Sequence, residues 1–175
     1  MRVREIISEK VAETVAAAQL GTPITVIFIN NATYGMTGGQ MAPTTVMGQT
    51  TATSPFGRSR FNGEPIKMAE LIASLDGPVY VERVALYWPA GRKKAARAIK
   101  KAVQNQVEGR GYSFVEVLAE CPTHLKMTPE KAEEWVKENM VPVFPLGVKK
   151  DTTVEPWFKL DTPDFEPATF LKTAE

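Results

Sequence analysis

Two consecutive asparagines, Asn30 and Asn31, end an apolar, β-branched run that begins at Ile24. Amide oxygens are suitable ligands for a hard cation such as Mg²⁺, which commonly keeps phosphate oxygens as further ligands. Glycines, which let the backbone pass close to a ligand, follow at Gly35, Gly38 and Gly39. The pattern indicates a site for a metal-bound phosphate, while an asparagine pair is also typical of a simple β-turn.

Cys121 is the only cysteine of the chain and His124 is the only histidine. A lone cysteine at a strand end is most often a small buried apolar residue, and it cannot hold a metal cluster alone. We expect His124 to be a loop residue without a catalytic role. The sequence contains no Ser–His–Asp arrangement, HExxH motif, Walker loop or GxGxxG fingerprint.

These residues lie at the ends of predicted strands. The run 24–29 has no polar alternation, which predicts a strand buried on both faces, and ligands bind at the carboxyl ends of such strands. Further strands are predicted at 79–86 and 112–118. Helices are predicted at 3–20, 65–75, 90–108 and 128–140, the last beginning with Thr128 as N-cap.

The alternation of helices and strands predicts an α/β fold with a parallel sheet. A parallel strand normally follows another strand through a crossover helix, and the strand expected before the first helix is missing. We therefore expect a sheet that lacks its N-terminal portion. Prolines recur from residue 142 to residue 167 and exclude long regular elements, so that 141–175 is predicted to be a Pro-rich C-terminal arm over this protein or a partner.

The segment NNATYGMTGGQMAPTT, residues 30–45, resembles the second half of the thiamine diphosphate motif in β subunits of 2-oxoacid:ferredoxin oxidoreductases. The resemblance continues through SPFGR, GPVYVERV, FVEVLAECPT and VPVFPLGVKKD. It implies a three-layer α/β/α fold that binds thiamine diphosphate, with residues 1–140 as a partial domain. In this family a GDGD segment opens the motif, and GDGD does not occur in the present sequence.

The resemblance also implies roles for individual residues. Asn31 would offer a side-chain oxygen to Mg²⁺, and Thr33 its backbone carbonyl. The residues that would lie along the diphosphate and the aminopyrimidine are Tyr34, Gly35, Met36 and Thr37. Met36 would help to hold the cofactor bent, a task that suits an unbranched side chain.

Substrate choice is left open between a branched-chain 2-oxo acid and 2-oxoglutarate. Some members of the family carry a lysine at the position of Gly38 that looks able to meet a distal substrate carboxylate. Glycine offers no such charge, so recognition of a second carboxylate would have to come from elsewhere.

The Cys-Pro-Thr that starts at Cys121 matches the family position that gives the last thiolate of a [4Fe–4S] cluster. The usual cubane needs four thiolates, and the other three lie toward the N-terminus in full-length members. GDGD belongs to the same region. We therefore expect a split or truncated β subunit whose missing N-terminal half comes from another chain.

Family membership implies oxidative decarboxylation of a 2-oxo acid to acyl-CoA and CO₂, with electrons passed to ferredoxin. The expected partners are an α subunit, the chain with the missing half, ferredoxin, coenzyme A and the 2-oxo acid. The catalytic carboxylate is expected from the α subunit, so no catalytic acid or base is assigned here. The alternatives are a non-catalytic assembly or regulatory subunit that keeps the fold and, less favoured, a different thiamine diphosphate decarboxylase.

Composition excludes several classes of protein. A formal net charge of +1 over 175 residues argues against general binding to nucleic acid or to an anionic membrane. No apolar run approaches the roughly 20 residues that span a bilayer. A single cysteine excludes an intramolecular disulfide framework and favours the cytoplasm.

Overall fold

The computed structural model describes residues 3–152, with side chains from residue 11 onwards. The helices are α1 (Val3–Leu20), α2 (Met68–Ala73), α3 (Pro89–Val107), α4 (Pro122–Leu125) and α5 (Pro129–Trp135), the last continued by a π-helical turn over Val136–Met140. The strands are β1 (Thr25–Asn30), β2 (Pro78–Ala85), β3 (Tyr112–Leu118) and β4 (Gly147–Asp151). A 3₁₀ turn, Arg60–Asn62, interrupts the long connection from β1 to α2.

Within the described residues the strands form one sheet in the order β1–β3–β2–β4. β1 and β2 both run parallel to the central strand β3, in a register that places Phe28 and Arg83 on either side of Glu116. β4 runs antiparallel beside β2. The predicted parallel sheet is therefore confirmed for three strands, and β4 adds an antiparallel edge that the sequence did not predict.

Helices cover both faces of this sheet, which confirms the predicted three layers. On one face α3 packs through its alanines against β2 and β3, in a cluster that contains Ala95, Ala98, Ala102, Val84, Val115 and Val117. On the other face α1 and α2 pack against the same strands, in a cluster that contains Ala18, Met68, Ala69, Ile72, Val81 and Phe114. Small residues on α3 let the helix approach the sheet closely.

Strand β1 is less buried than its sequence predicted. Ile27 is 44% exposed and Ile29 is 57% exposed, so the prediction of a strand buried on both faces is wrong. The physical reason is position: β1 is an edge strand, and α3 is centred on β2 and β3. The opposite face of β1 is better covered, and there Phe28 stacks on Phe114 with ring centroids 6.0 Å apart.

A third apolar cluster lies beyond the carboxyl ends of the strands. It joins the start of the β1–α2 connection to α5 and the segment that follows, through Ala32, Val46, Ala85, Leu118, Val136, Met140 and Phe144. Phe144 is completely buried, so residues 141–152 pack on the domain and end in β4. The remainder of the predicted arm, 153–175, lies outside the described residues.

Most predicted boundaries agree with the structure to within a few residues. β3 has the predicted bounds, and Thr128 is the N-cap of α5. α2 is shorter than predicted, because its regular part begins only at Met68. The short helix α4 was not predicted. Across residues 3–152, no helix combines the length and the apolar character needed to cross a membrane.

Candidate cofactor and metal site

The carboxyl ends of the parallel strands meet at one edge of the sheet. Asn30, the last residue of β1, is the register partner of Leu118 at the end of β3. Cys121 follows shortly after Leu118. The fold therefore brings the asparagine pair and the cysteine to the same edge, as parallel topology predicts.

The two asparagines have different environments. Asn30 is 1% exposed and points inward, where its Nδ2 donates to Glu116 Oε1 over 2.7 Å and its Oδ1 accepts from the Ala32 amide over 3.0 Å. Asn31 is half-buried, and its Oδ1 accepts from the Thr33 amide over a longer 3.3 Å. Both therefore make the local bonds of an asparagine turn, while the more weakly bonded oxygen belongs to Asn31.

Behind Asn30 lies a buried ion network that sequence reasoning missed. Glu116 and Arg83 are both completely buried, and Arg83 Nε donates to Glu116 Oε2 over 2.9 Å. The amide of Ala69, in the first turn of α2, donates to the same oxygen over 3.1 Å. Arg83 also forms a salt bridge with Glu70 and donates to the Pro145 carbonyl over 3.1 Å. The network thus ties β1, β2, β3 and α2 together at the site.

Electrostatic interactions within the network keep Glu70 and Arg83 ionised. Burial raises the pKa of Glu70, but the hydrogen bonds and the charge of Arg83 outweigh this effect, so the pKa of Glu70 lies below its ordinary value. Burial lowers the pKa of Arg83, and the two carboxylates Glu70 and Glu116 more than compensate and raise it. The pair therefore remains charged at neutral pH.

Residue 32 is held in an uncommon conformation directly after the asparagine pair. Ala32 has a φ of 58°, in the left-handed region that non-glycine residues rarely adopt. Its amide donates to Asn30 Oδ1, and its carbonyl accepts from Thr45 Oγ1 over 2.7 Å. Side-chain bonds on both sides of Ala32 thus fix the path of the backbone beyond Asn31.

The loop that carries the other predicted cofactor residues closes on itself. The Tyr34 amide donates to the Gln40 carbonyl over 3.0 Å, and the Gly39 amide donates to the Tyr34 carbonyl over 2.8 Å. Thr37 Oγ1 donates to Gln40 Oε1 over 2.6 Å. At the tip of this closed loop the side chain of Met36 is fully exposed, so that it is available to a bound molecule.

Cys121 lies against this loop. Its Sγ is 3.3 Å from the point where a Cβ on Gly35 would stand, and Asn31 Nδ2 is 3.7 Å from the same point. The thiol is free and half-buried. The structure therefore brings three residues predicted for two different cofactors into one neighbourhood, and a glycine at position 35 makes the close approach possible.

His124 lies in α4 and packs on the same loop from another side. A Cβ on Gly39 would stand 2.2 Å from His124 Nδ1, so only glycine fits at this contact. Gly39 also has a φ of 79°, which favours glycine for a second reason. His124 was predicted to be a loop residue; it belongs instead to a helical turn that supports the cofactor loop.

A buried arginine organises the Thr-rich connection. Arg58 is 6% exposed, and its guanidinium donates to backbone carbonyls on both sides of the connection: Ala42, Pro43, Thr45, Asn62, Gly63 and Glu64. Burial lowers the pKa of Arg58, and the charge of Glu64 partly opposes this change. Arg58 therefore fixes the segment that supplies Thr45 to the Ala32 carbonyl.

The donors present suit a cation that arrives with its own negative charge. In the described part of the chain, no three carboxylate, cysteine or histidine side chains are placed to hold a metal ion. Asn31 and the backbone carbonyl of Thr33 offer neutral oxygens, which fit Mg²⁺ bound to a diphosphate. Cys121 offers one thiolate, whereas a cubane cluster needs four.

Comparison with known families agrees with this site. Residues 6–117 match the family model described as "Thiamine pyrophosphate enzyme, C-terminal TPP binding domain". The match includes the whole loop from Asn30 to Gly39 and ends within β3. Thiamine pyrophosphate is another name for thiamine diphosphate, so the match supports binding of this cofactor by the family to which the domain belongs.

Relatives with related names align over most of the chain. Ketoisovalerate oxidoreductase subunit VorA of Methanothermobacter thermautotrophicus is 49% identical over 144 residues, which cover 82% of this chain and 30% of that protein. The 2-oxoglutarate synthase subunit KorB of Archaeoglobus fulgidus is 40% identical over 123 residues, covering 70% of this chain and 42% of that protein. The chain thus spans less than half the length of these relatives.

A solved structure shares the fold. The 2-oxoglutarate:ferredoxin oxidoreductase from Magnetococcus marinus superposes with a TM-score of 0.56 at 18% identity, covering 82% of this chain and 52% of the other. At this identity the likeness concerns the fold alone. The family match over residues 6–117 shows that the chain belongs to the thiamine pyrophosphate enzymes through their C-terminal TPP-binding domain, and the relatives it resembles are named as subunits of 2-oxoacid oxidoreductases.

Proposed function

We propose that this chain is one part of a 2-oxoacid:ferredoxin oxidoreductase, which converts a 2-oxo acid to acyl-CoA and CO₂ and passes electrons to ferredoxin. The observation that carries the proposal is the contact between the cofactor loop and Cys121 across Gly35. The contact brings the residue proposed for the cluster beside the loop proposed for the thiamine cofactor. This contact does not favour the alternative of a non-catalytic assembly or regulatory subunit.

In the proposed site, Asn31 Oδ1 and the Thr33 carbonyl would hold Mg²⁺ beside the diphosphate of the cofactor. Tyr34, Gly35, Met36 and Thr37 lie along the cofactor, and the closed loop keeps them in position. Thiamine diphosphate, when bound, supplies the nucleophilic carbon and the electron sink that decarboxylation requires. The contribution of this chain is to bind and orient the cofactor.

Cys121 is proposed to be one thiolate ligand of a [4Fe–4S] cluster. The remaining three thiolates, and the acidic GDGD part of the magnesium site, would come from a second chain. A partner at this edge of the sheet is supported by β1, which exposes Ile27 and Ile29 there. We also propose an α subunit, ferredoxin and coenzyme A as partners, and a cytoplasmic location.

The substrate is proposed to be a branched-chain 2-oxo acid or 2-oxoglutarate. The names of the two relatives described above, one a ketoisovalerate oxidoreductase and one a 2-oxoglutarate synthase, support both classes. Gly38 brings no cation to the loop, which favours a substrate with a single carboxylate. 2-Oxoisovalerate is therefore the first substrate to test.

The decisive experiment is native purification of the tagged chain, followed by mass spectrometry and assay. We expect a complex that contains a chain with GDGD and three cysteines, and that reduces ferredoxin with 2-oxoisovalerate and coenzyme A only when thiamine diphosphate is present. 2-Oxoglutarate in a parallel assay distinguishes the two substrate classes. A chain that purifies without partners and without thiamine diphosphate would overturn the proposal.

A further inference from the structure

A buried carboxylate lies directly behind the asparagine pair. Glu116 is fully inaccessible, and its Oε1 accepts from Asn30 Nδ2 over 2.7 Å. We propose that Glu116 is the positioning residue of the magnesium site, because it fixes Asn30 and thereby the direction in which Asn31 presents its oxygen. This inference rests on the proposed function, since it assigns to Asn31 the role of a magnesium ligand.

The hydrogen bonds of Asn30 leave its side chain a single orientation. Its NH₂ group faces the carboxylate of Glu116, while its carbonyl oxygen faces the Ala32 amide over 3.0 Å. A half-turn of the amide would place oxygen against oxygen at Glu116 and nitrogen against nitrogen at Ala32. Glu116 can only accept, and therefore it determines which end of Asn30 points toward the loop.

Asn31 lies between two constrained residues. Asn30 is fixed from one side by Glu116, and Ala32 is held at a φ of 58° by Asn30 and Thr45. A non-glycine residue persists in this region only when surrounding bonds hold it there. When Asn30 loses its orientation, Ala32 loses one of these bonds and the backbone that carries Asn31 is free to relax.

Glu116 is itself rigidly held. Its Oε2 accepts from Arg83 Nε over 2.9 Å and from the Ala69 amide over 3.1 Å, so all its contacts here come from different elements. Arg83 is fixed in turn by its salt bridge to Glu70. A carboxylate held at this many points transmits little motion to Asn30, as the support of a metal ligand requires.

A purely structural role for the same ion pair makes a different prediction. If Glu116 only anchors α2 to the sheet, then another substitution that weakens the packing of α2 to the same extent should reduce cofactor affinity to the same extent. Ile72 provides the matched control, because it is fully buried between α2 and the sheet and its apolar side chain makes none of the hydrogen bonds of Glu116. Ile72→Ala weakens the same interface without changing the partners of Asn30.

The experiment compares the native complex carrying Glu116→Gln with the complex carrying Ile72→Ala. Glutamine keeps the shape of glutamate but replaces one carboxylate oxygen with an NH₂ group. Asn30, Arg83 and the Ala69 amide then compete for the one remaining acceptor oxygen. We expect both variants to lower the melting temperature, and only Glu116→Gln to weaken Mg²⁺-dependent binding of thiamine diphosphate by about tenfold or more. Equal affinities for the two variants would overturn the positioning role.

A reciprocal exchange of groups strengthens the test. In the double variant Asn30→Asp with Glu116→Gln, the new glutamine donates to the new aspartate, so the bond is restored with its direction reversed. We expect this pair to recover affinity to within about threefold of the wild type, whereas Asn30→Asp alone sets two carboxylates against each other and binds poorly. No recovery in the double variant would count against positioning through Asn30.

A second measurement needs no cofactor. Hydrogen exchange of the complex without thiamine diphosphate should be faster at the amides of Ala32 and Thr33 in Glu116→Gln than in Ile72→Ala. Unchanged exchange at Ala32 would overturn the inference. If the wild-type complex binds no thiamine diphosphate, the proposed function falls. If the wild type binds it and Glu116→Gln binds it as well as Ile72→Ala does, only the positioning role falls, so the two failures are distinguishable.

Discussion

The Sγ atom of Cys121 lies 3.3 Å from the position that a Cβ on Gly35 would occupy. This distance is tighter than ordinary van der Waals contact, and it joins the residue proposed for the cluster to the loop proposed for thiamine diphosphate. A side chain added at Gly35 would therefore press on Cys121, and such a change should affect both proposed cofactor sites.

Gly35→Ala should push the thiol and the loop apart. We expect the affinity of the native complex for thiamine diphosphate to fall several-fold. The free energy of unfolding should change little, because alanine lowers the conformational entropy of the unfolded chain, and this stabilisation of about 0.4–1 kcal/mol offsets the crowding. Equilibrium titration of the cofactor measures the change. The double variant Gly35→Ala with Cys121→Ala relieves the crowding and should regain most of the affinity; if it does not, crowding by the sulfur is not the cause.

Replacing Cys121 distinguishes a cluster ligand from a structural cysteine. In the native complex, Cys121→Ser should lower iron content and slow reduction of ferredoxin, while decarboxylation is better preserved because it precedes electron transfer. A structural cysteine predicts unchanged iron and a loss of only about 1 kcal/mol of packing energy. Iron analysis and ferredoxin reduction on the same preparations decide between them.

The two neighbouring asparagines should respond in opposite ways to alanine. Asn30→Ala leaves the buried Glu116 without one partner and should reduce the free energy of unfolding by about 2–3 kcal/mol. Asn31→Ala should reduce the free energy of unfolding by less than about 1 kcal/mol, because its local hydrogen bond is long. It should nevertheless lower the affinity for Mg²⁺ more strongly than Asn30→Ala does. Urea unfolding and Mg²⁺ titration of the two variants check this; similar stability losses would contradict it.

Acid should weaken the domain through Glu70. Its folded pKa lies below the ordinary value of 4.5, so its ionised form contributes stability at neutral pH, and this contribution is lost as the pH falls below about 4.5 and through the folded pKa. Glu70→Gln should remove this part of the pH dependence and leave the remainder. Unfolding curves at pH 7 and at about pH 3.5 provide the comparison; identical acid slopes for both proteins would exclude the effect.

The exposed edge strand should make the separated chain self-associate. Ile27 and Ile29 present apolar surface beside unpaired backbone, and such edges recruit further strands. Ile29→Lys should therefore increase the monomer fraction in analytical ultracentrifugation. Leu71→Lys, at an exposed apolar position on α2 away from the sheet edge, is the control. A clean monomer of the unmodified chain would contradict this prediction.

Local patterns were sufficient to predict β3, the start of α5 and the place of the asparagine pair. These features depend on apolar runs and on capping residues within a short stretch of sequence. The exposure of Ile27 and Ile29 could not be predicted in the same way. An apolar run is compatible with any neighbour, and the residues themselves do not indicate which strand or helix covers them.

The partnership of Arg83 and Glu116 was hidden for another reason. Both residues interrupt otherwise apolar strands, and two opposite charges in buried strands are a sign of pairing. Their contact depends on the register of β2 against β3, which no local pattern determines. β4 was missed similarly, since Lys149 and Lys150 give it little of the apolar character of a strand.

Arg58 has a consequence for how the connection from 42 to 64 moves. One guanidinium is bonded to carbonyls near both ends of this segment, and no helix or strand longer than a turn shares the load. The two ends of the segment are therefore joined through a single side chain, and they can separate only when the guanidinium releases one of them. Loss of the Arg58 side chain alone would thus untie both ends of a stretch that has little regular secondary structure.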